Sequence, residues 1–151
     1  MPGELQILGR AVKQVQYRQH RALDTALAGV GTTLAQWDAL RAVGRSPGAS
    51  GRALAAATFQ SEQAFGTLAG RLAAQGLIER RAGRGRALGH HLTPAGERVL
   101  AAGHGVADEV LAECFAPLAA AERTALLALL GRLTPDAPGD RGARGGSGAS
   151  G

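Results

Sequence analysis

The sequence is poor in the residue types that build β-sheets. Its 151 residues include seven Val, two Ile, eight Thr and five aromatic residues, whereas β-strands are enriched in β-branched and aromatic side chains. This scarcity excludes an all-β fold and argues against a large parallel sheet. The abundant residues are instead 32 Ala and 20 Leu, which are among the strongest helix formers. Length and composition therefore predict one mainly α-helical domain with little sheet.

Cysteine and several diagnostic motifs are also scarce or missing. Because Cys114 is the single cysteine, an internal disulfide and a cysteine-based zinc finger are excluded. Neither a Walker A nor an HExxH motif occurs, and no spacing groups Ser, His and Asp, so we expect no enzyme and no cofactor. Neither the apolar core of a signal peptide nor an apolar run of about 18 residues is present. We therefore expect a cytoplasmic protein with no membrane partner.

Positive charge is concentrated in the middle of the chain. Residues 30–98 contain nine basic and four acidic residues, so their net charge of +5 equals that of the whole chain. Of the 17 basic residues, 16 are Arg. A GC-rich genome explains the preference for Arg over Lys, but it does not explain the clustering. A concentrated positive patch indicates an anionic partner, most commonly nucleic acid.

Hydrophobic periodicity and capping signals predict six helices and one β-hairpin. Thr33 and Gln36 have the spacing of a capping box, and Ser50 and Ser61 are predicted N-caps. The last helix carries leucines on more than one face, so we expect it to be buried on two sides. In chain order, the predicted helices cover residues 4–28, 34–44, 51–57, 62–75, 94–116 and 119–133, and the predicted strands cover residues 77–81 and 88–92.

The order of these elements predicts a winged helix-turn-helix. In this fold the second helix of the motif enters the major groove of DNA, whose width accepts one α-helix. Its candidate DNA-contacting residues are Ser61, Gln63, Ala64, Thr67 and Arg71. The hairpin forms the wing, which places Arg80, Arg81, Arg84 and Arg86 against phosphates or in the adjacent minor groove. An intramolecular salt bridge is the alternative role of Arg71.

Four segments resemble the MarR (multiple antibiotic resistance regulator) family of bacterial transcription factors, and the resemblance covers residues 5–133. The segments are residues 34–40 (LAQWDAL), Ala53-Leu54-Ala55, residues 68–80 (LAGRLAAQGLIER) and residues 92–96 (LTPAG). The resemblance implies a DNA-binding lobe over residues 30–95, a helical dimerisation lobe formed by residues 4–29 and 96–134, and a flexible Gly/Ser-rich tail over residues 135–151. The residues expected in the dimer interface are Leu5, Leu8, Val12, Val15, Leu126, Leu130 and Leu133.

The resemblance also implies a function. It predicts a homodimeric, sequence-specific regulator that binds a pseudo-palindromic operator in double-stranded DNA and acts as a repressor released by a small aromatic or anionic effector. The predicted effector pocket lies between the lobes, and core packing is the alternative role of its tryptophan. The pocket residues are Tyr17, Arg18, His20, Trp37 and Arg41.

Two departures from the family pattern keep other functions open. Where the family usually has Asp-Arg-Arg in the wing, this chain has Arg84-Gly85-Arg86, and Thr67 replaces a frequent arginine of the recognition helix. An interaction module with weak DNA readout is therefore one alternative. A metal- or redox-sensing regulator of the same fold is another, because His104 and Asp108 share a helix face and Cys114 carries a thiol.

Overall fold

The computed structural model describes residues 2–83, 85 and 87–134. This part of the chain forms six helices and two antiparallel strands, and every predicted element is found with its ends shifted by at most two residues. The predicted tail, residues 135–151, lies outside it. The elements are α1 (Pro2–Ala28), α2 (Leu34–Arg45), α3 (Gly51–Ala57), α4 (Glu62–Ala74), β1 (Ile78–Ala82), β2 (Leu88–Leu92), α5 (Pro94–Phe115) and α6 (Ala120–Leu133).

Side-chain caps fix where α2, α3 and α4 begin. The hydroxyls of Thr33, Ser50 and Ser61 accept hydrogen bonds from the backbone N–H three residues later, at 3.1, 3.2 and 3.1 Å. The capping-box prediction is wrong in its second half, because Oε1 of Gln36 accepts from the Thr32 hydroxyl at 3.3 Å instead of returning to the N-cap. Each cap satisfies a backbone donor that the first turn of a helix leaves open.

The winged lobe has its own hydrophobic core. Buried side chains from α2, α3, α4 and β1 meet there, and Leu40, Leu54, Phe65, Leu72 and Ile78 are among them. Burying a side chain of this size contributes roughly 1.5–3 kcal/mol, so these contacts hold α4 against α2 and α3. The wing strands pair in register from Ile78 opposite Leu92 to Ala82 opposite Leu88.

A second buried cluster joins the end of α1 to α2 and α5. It contains Leu23 and Leu27 of α1, Trp37 of α2 and Ala107 of α5. The indole packs so closely on Gly103 of α5 that a Cβ at that position would overlap its Cδ1 and Nε1 atoms. The absence of a side chain on Gly103 therefore allows α5 to approach α2.

The two terminal helices keep apolar side chains exposed. On α1, Leu5, Leu8, Val12 and Val15 are exposed by 50–73%. No residue of α6 is buried within the single chain, and Leu127, Leu129, Leu130 and Leu133 are exposed. Burial of this helix on two sides stays a prediction for the dimer. The chain divides into two units at Cys114. In the described part of the chain, no single helix is both long and apolar enough to cross a membrane.

Candidate nucleic-acid interface and effector cavity

Helix α4 separates a buried face from an exposed one. Phe65, Ala69 and Leu72 are buried and anchor the helix to the winged core. The predicted DNA-contacting residues of this helix are all exposed, and they are Ser61, Gln63, Ala64, Thr67 and Arg71. The structure thus gives these five residues the accessibility that a DNA contact needs, and their contact with DNA stays a prediction.

Hydrogen bonds already occupy part of this exposed face. The Thr67 hydroxyl donates to the Gln63 carbonyl at 3.1 Å, and the Ser61 hydroxyl caps the helix. In the described residues the Gln63 side-chain amide has no partner, so its donor and acceptor are free. A glutamine amide can pair with the N6 and N7 edge of adenine, which makes Gln63 the residue of this face best suited to read a base.

Charges on α4 are few. Its two ionised side chains are Glu62 and Arg71, and Glu62 lies 3.7 Å from Nε of Arg52 in α3. Arg71 has no carboxylate within 4 Å among the residues that the structure describes. The alternative role of Arg71, an intramolecular salt bridge, is therefore not formed with any described residue, and its cation remains available to a phosphate.

The two strand arginines of the wing occupy different environments. Nη2 of Arg80 lies 3.3 Å from the point where a Cβ on Gly70 would stand, so its guanidinium rests against α4. Arg81 points to the other side of the strand, as alternation requires, and donates from Nη2 to Oε2 of Glu79 at 2.8 Å. Arg80 therefore adds a cation to the α4 surface, whereas the charge of Arg81 is compensated. Arg84 and Arg86 lie outside the described residues.

A cavity of about 380 Å³ opens between α1, α2 and α5. Three of the five predicted pocket residues, His20, Trp37 and Arg41, line it. The other two, Tyr17 and Arg18, do not line this cavity. They follow the lining residue Gln16 at about 100° and about 200° around the helix, so both are turned away from it. The Tyr17 ring is exposed below the guanidinium of Arg21, and Arg18 lines a separate cavity beside Cys114.

Trp37 and Arg41 form the polar wall of this cavity. Trp37 is 4% exposed and donates from Nε1 to the Leu100 carbonyl at 3.3 Å. The Arg41 guanidinium lies 4.6 Å from the centre of the indole and 3.4 Å from Oδ1 of Asp38, yet its buried Nε has no partner among the described residues. Trp37 thus packs in the core and also lines the cavity, and its contact with an effector stays a prediction. The free N–H of Arg41 suits an anionic ligand.

His104 and Asp108 of α5 also line the cavity, and the sequence prediction considered them only as metal ligands. Their spacing of four residues indicated a common helix face, but not that this face borders Trp37. The His104 ring meets the indole edge-on with centroids 5.4 Å apart. In the described part of the chain, no group of three or more His, Cys, Asp and Glu is arranged to hold a metal ion. Cys114 is half-buried.

Residues 44–48 (GRSPG) fit the GxSxG pattern of serine hydrolases. That pattern requires a serine on a sharp turn between a strand and a helix. Ser46 instead ends helix α2, and its hydroxyl has no histidine partner among the described residues. The pattern is therefore a coincidence of turn residues and does not indicate hydrolase chemistry.

Comparison with known proteins identifies the family. The sequence profile described as the MarR family matches residues 30–87. The crystal structure of a probable transcriptional regulator from Pseudomonas aeruginosa is 32% identical and superposes with a TM-score of 0.75, covering 83% of this chain and 95% of that chain. The chain belongs to the MarR family. It has the winged-helix fold of MarR family transcription regulators, so the predictions of family and fold are confirmed.

A MarR family protein of Mycobacterium tuberculosis is also similar. Its structure in complex with salicylic acid is 28% identical with a TM-score of 0.69, covering 83% of this chain and 95% of that one. Its complex with DNA is 25% identical with a TM-score of 0.70, covering 83% and 96%. No protein with a curated description matches the sequence significantly.

One departure from the MarR pattern now has a structural context. Thr67 stands where the family often has an arginine, and its hydroxyl is bonded within α4. The wing brings a guanidinium to this helix, because Nη2 of Arg80 lies against Gly70 one turn after Thr67. Among the residues that the structure describes, this MarR chain therefore has two cations on the surface of α4, Arg71 and Arg80, that lie within 4 Å of no carboxylate.

Proposed function

We propose that this MarR family regulator is a homodimeric repressor that binds a pseudo-palindromic operator and is released by a small aromatic acid. The observation that carries the proposal is the exposed face of α4, on which Gln63 is accessible. Ser61 caps this helix, and the buried Phe65 anchors its other face to the core. One such helix fits the major groove of B-DNA. In this proposal, residues 30–95 bind DNA and residues 4–29 and 96–134 form the dimer.

The exposed apolar faces of the terminal helices support a dimer. Exposed apolar surface of this extent indicates a protein contact, and a two-fold axis covers the same face on both copies. Each covered leucine or valine adds roughly 1.5–3 kcal/mol. Binding to two half-sites one helical turn apart requires the two α4 helices of this dimer to lie about 34 Å apart. The residues proposed for the interface are Leu5, Leu8, Val12, Val15, Leu126, Leu130 and Leu133.

The cavity beside Trp37 supports an aromatic acid as effector. An aromatic ring can lie against the indole and the His104 ring, and a carboxylate can accept from the unpartnered Nε of Arg41. The similar protein of M. tuberculosis was solved in complex with salicylic acid. Because the cavity joins α1 and α5 to α2, a bound ligand changes the angle of the winged lobe and couples the two sites.

Electrophoretic mobility shift with DNA from the region upstream of the gene tests the proposal. We expect a retarded band at low salt whose affinity falls steeply as salt rises, because Arg–phosphate contacts release counterions. Salicylate should reverse the shift in the wild-type protein but not in Arg41→Ala. The absence of a shift at low salt for any promoter fragment would contradict DNA binding.

A second function is favoured by the charge of α4. Because Glu62 and Arg71 cancel on this helix, the winged lobe also suits an interaction module that binds protein or a small molecule with weak DNA readout. Affinities for different DNA sequences, measured at one salt concentration, separate the two functions. Affinity that is equal for all DNA sequences supports the module, whereas a preference of 1,000-fold or more for one site, the order of magnitude typical of specific regulators, supports the repressor.

A further inference from the structure

Helix α3 ends in a backbone motif that usually contains glycine, but the residue at the glycine position is Phe59. After the C-cap Thr58, the N–H of Phe59 donates to the Ala56 carbonyl at 3.3 Å and the N–H of Gln60 donates to the Ala55 carbonyl at 2.9 Å. These two bonds define a Schellman motif, in which the first residue beyond the cap is left-handed and is usually glycine. Phe59 occupies that position with φ of 57°.

Two other helices of this chain end with glycine at the left-handed position. At the end of α1 the left-handed residue is Gly31, with φ of 82°, and at the end of α4 it is Gly76, with φ of 72°. The corresponding long bonds run from Thr32 to Leu27 at 3.1 Å and from Leu77 to Leu72 at 2.9 Å. A bulky side chain in this conformation is an outlier that opposes folding. Phe59 therefore stands where glycine would be less strained.

The Phe59 side chain does not pack in the hydrophobic core. Its side chain is 89% exposed, the highest value among the large hydrophobic residues that the structure describes. It precedes the N-cap Ser61 by two residues, so their Cα atoms are at most about 7.6 Å apart. In a helix-turn-helix, the residues at the N-terminal end of the second helix are those that reach base edges. The ring is thus exposed beside the end of α4 that enters the groove.

We propose that Phe59 contacts the C5-methyl group of a thymine in the major groove and thereby contributes to operator specificity. The inference rests on the proposed DNA-binding function and extends it to a residue outside the recognition helix. An apolar side chain is the group that recognises the thymine methyl. The nearby charges are already paired, because Arg52 faces Glu62, so this part of the surface suits an apolar contact better than a phosphate.

The test uses full-length protein and an operator selected from random double-stranded DNA with the wild-type chain. Phe59→Asn removes the apolar group, and Asn tolerates a left-handed backbone, so the melting temperature should not fall. We expect the Kd for the operator to rise about tenfold, with an unchanged dependence on salt because no phosphate contact is lost. Phe59→Leu should keep most of the affinity.

Deoxyuridine makes the test specific, because it lacks only the thymine methyl group. When each operator thymine is replaced in turn, one position per half-site should lower the affinity of the wild type severalfold. The same replacement should leave the affinity of Phe59→Asn unchanged. Equal operator affinity of Phe59→Asn and wild type, or equal loss by both proteins at every deoxyuridine, would overturn the inference while leaving the proposed function intact. Failure of the wild type to select any DNA would refute both.

Discussion

Replacing Gly103 by Ala tests the packing of α5 against Trp37 beside the cavity between α1, α2 and α5. A Cβ at this position overlaps the Trp37 indole at Cδ1 and Nε1, whereas non-bonded carbon atoms prefer separations of about 3.5–4.0 Å. The indole has little freedom to retreat, because it is 4% exposed and donates to the Leu100 carbonyl. The methyl group must therefore push α5 away from α2.

The expected change in the free energy of unfolding of Gly103→Ala combines two opposing effects. Overpacking a close contact costs about 1–3 kcal/mol, and replacing a helical glycine by alanine returns about 1 kcal/mol of helix propensity. Gly105→Ala is the matched control, because it lies two residues later on α5 and a Cβ there meets nothing within 4 Å. The control should be stabilised by about 1 kcal/mol, whereas Gly103→Ala should be less stable than the control by about 1–3 kcal/mol.

Thermal unfolding followed by circular dichroism measures both variants. For a chain of this length, about 1 kcal/mol corresponds to a shift of roughly 2–4 °C in Tm. Gly103→Ala should also change the fluorescence of Trp37, the single tryptophan, because the indole is displaced. If Gly103→Ala raised Tm as much as Gly105→Ala does, the close contact between α5 and Trp37 would not exist and the account of the cavity would fail.

Three further predictions concern binding and assembly. Arg80→Ala should weaken DNA binding and reduce the slope of log K against log salt concentration by about one unit. Arg81→Ala removes the same charge from a residue that is paired with Glu79, so it should weaken binding less. Equal losses of affinity for the two variants in a salt titration would contradict the placement of Arg80 on α4. Arg41→Lys keeps the charge but loses the buried Nε, so salicylate binding measured by calorimetry should weaken about tenfold, and unchanged affinity would exclude Arg41 as the anion partner. Leu8→Glu should convert the proposed dimer to a monomer in sedimentation equilibrium, because the variant places an unpaired charge in the interface. A dimer that persists in this variant would exclude α1 from the dimer interface.

Sequence reasoning located the elements well where the determinants are local. The caps at Ser50 and Ser61 and the left-handed Gly76 depend on residues within one helical turn, and such signals are readable from spacing alone. The alternation of buried and exposed residues along α4 follows from helical periodicity in the same way. The exposed face of α4 could therefore be predicted before any tertiary contact was known.

Contacts between distant segments could not be predicted in this way. The helical phase of α1 relative to its neighbours decides that His20 lines the cavity and Tyr17 does not, and this phase is set by the packing of Leu23 and Leu27. Likewise, no spacing indicates that Arg80 rests on Gly70. The sequence reasoning also overlooked Phe59, because a left-handed phenylalanine contradicts the propensities on which such reasoning relies.

Hydroxyl-radical footprinting of the full-length protein on its selected operator tests the central claim most directly. The account predicts two protected half-sites related by two-fold symmetry, with centres about 10 base pairs apart, and loss of both when Gln63 and Arg71 are replaced by Ala. A single protected site, protection that does not depend on sequence, or no protection at low salt would contradict the assignment of α4 as the recognition helix of a symmetric dimer.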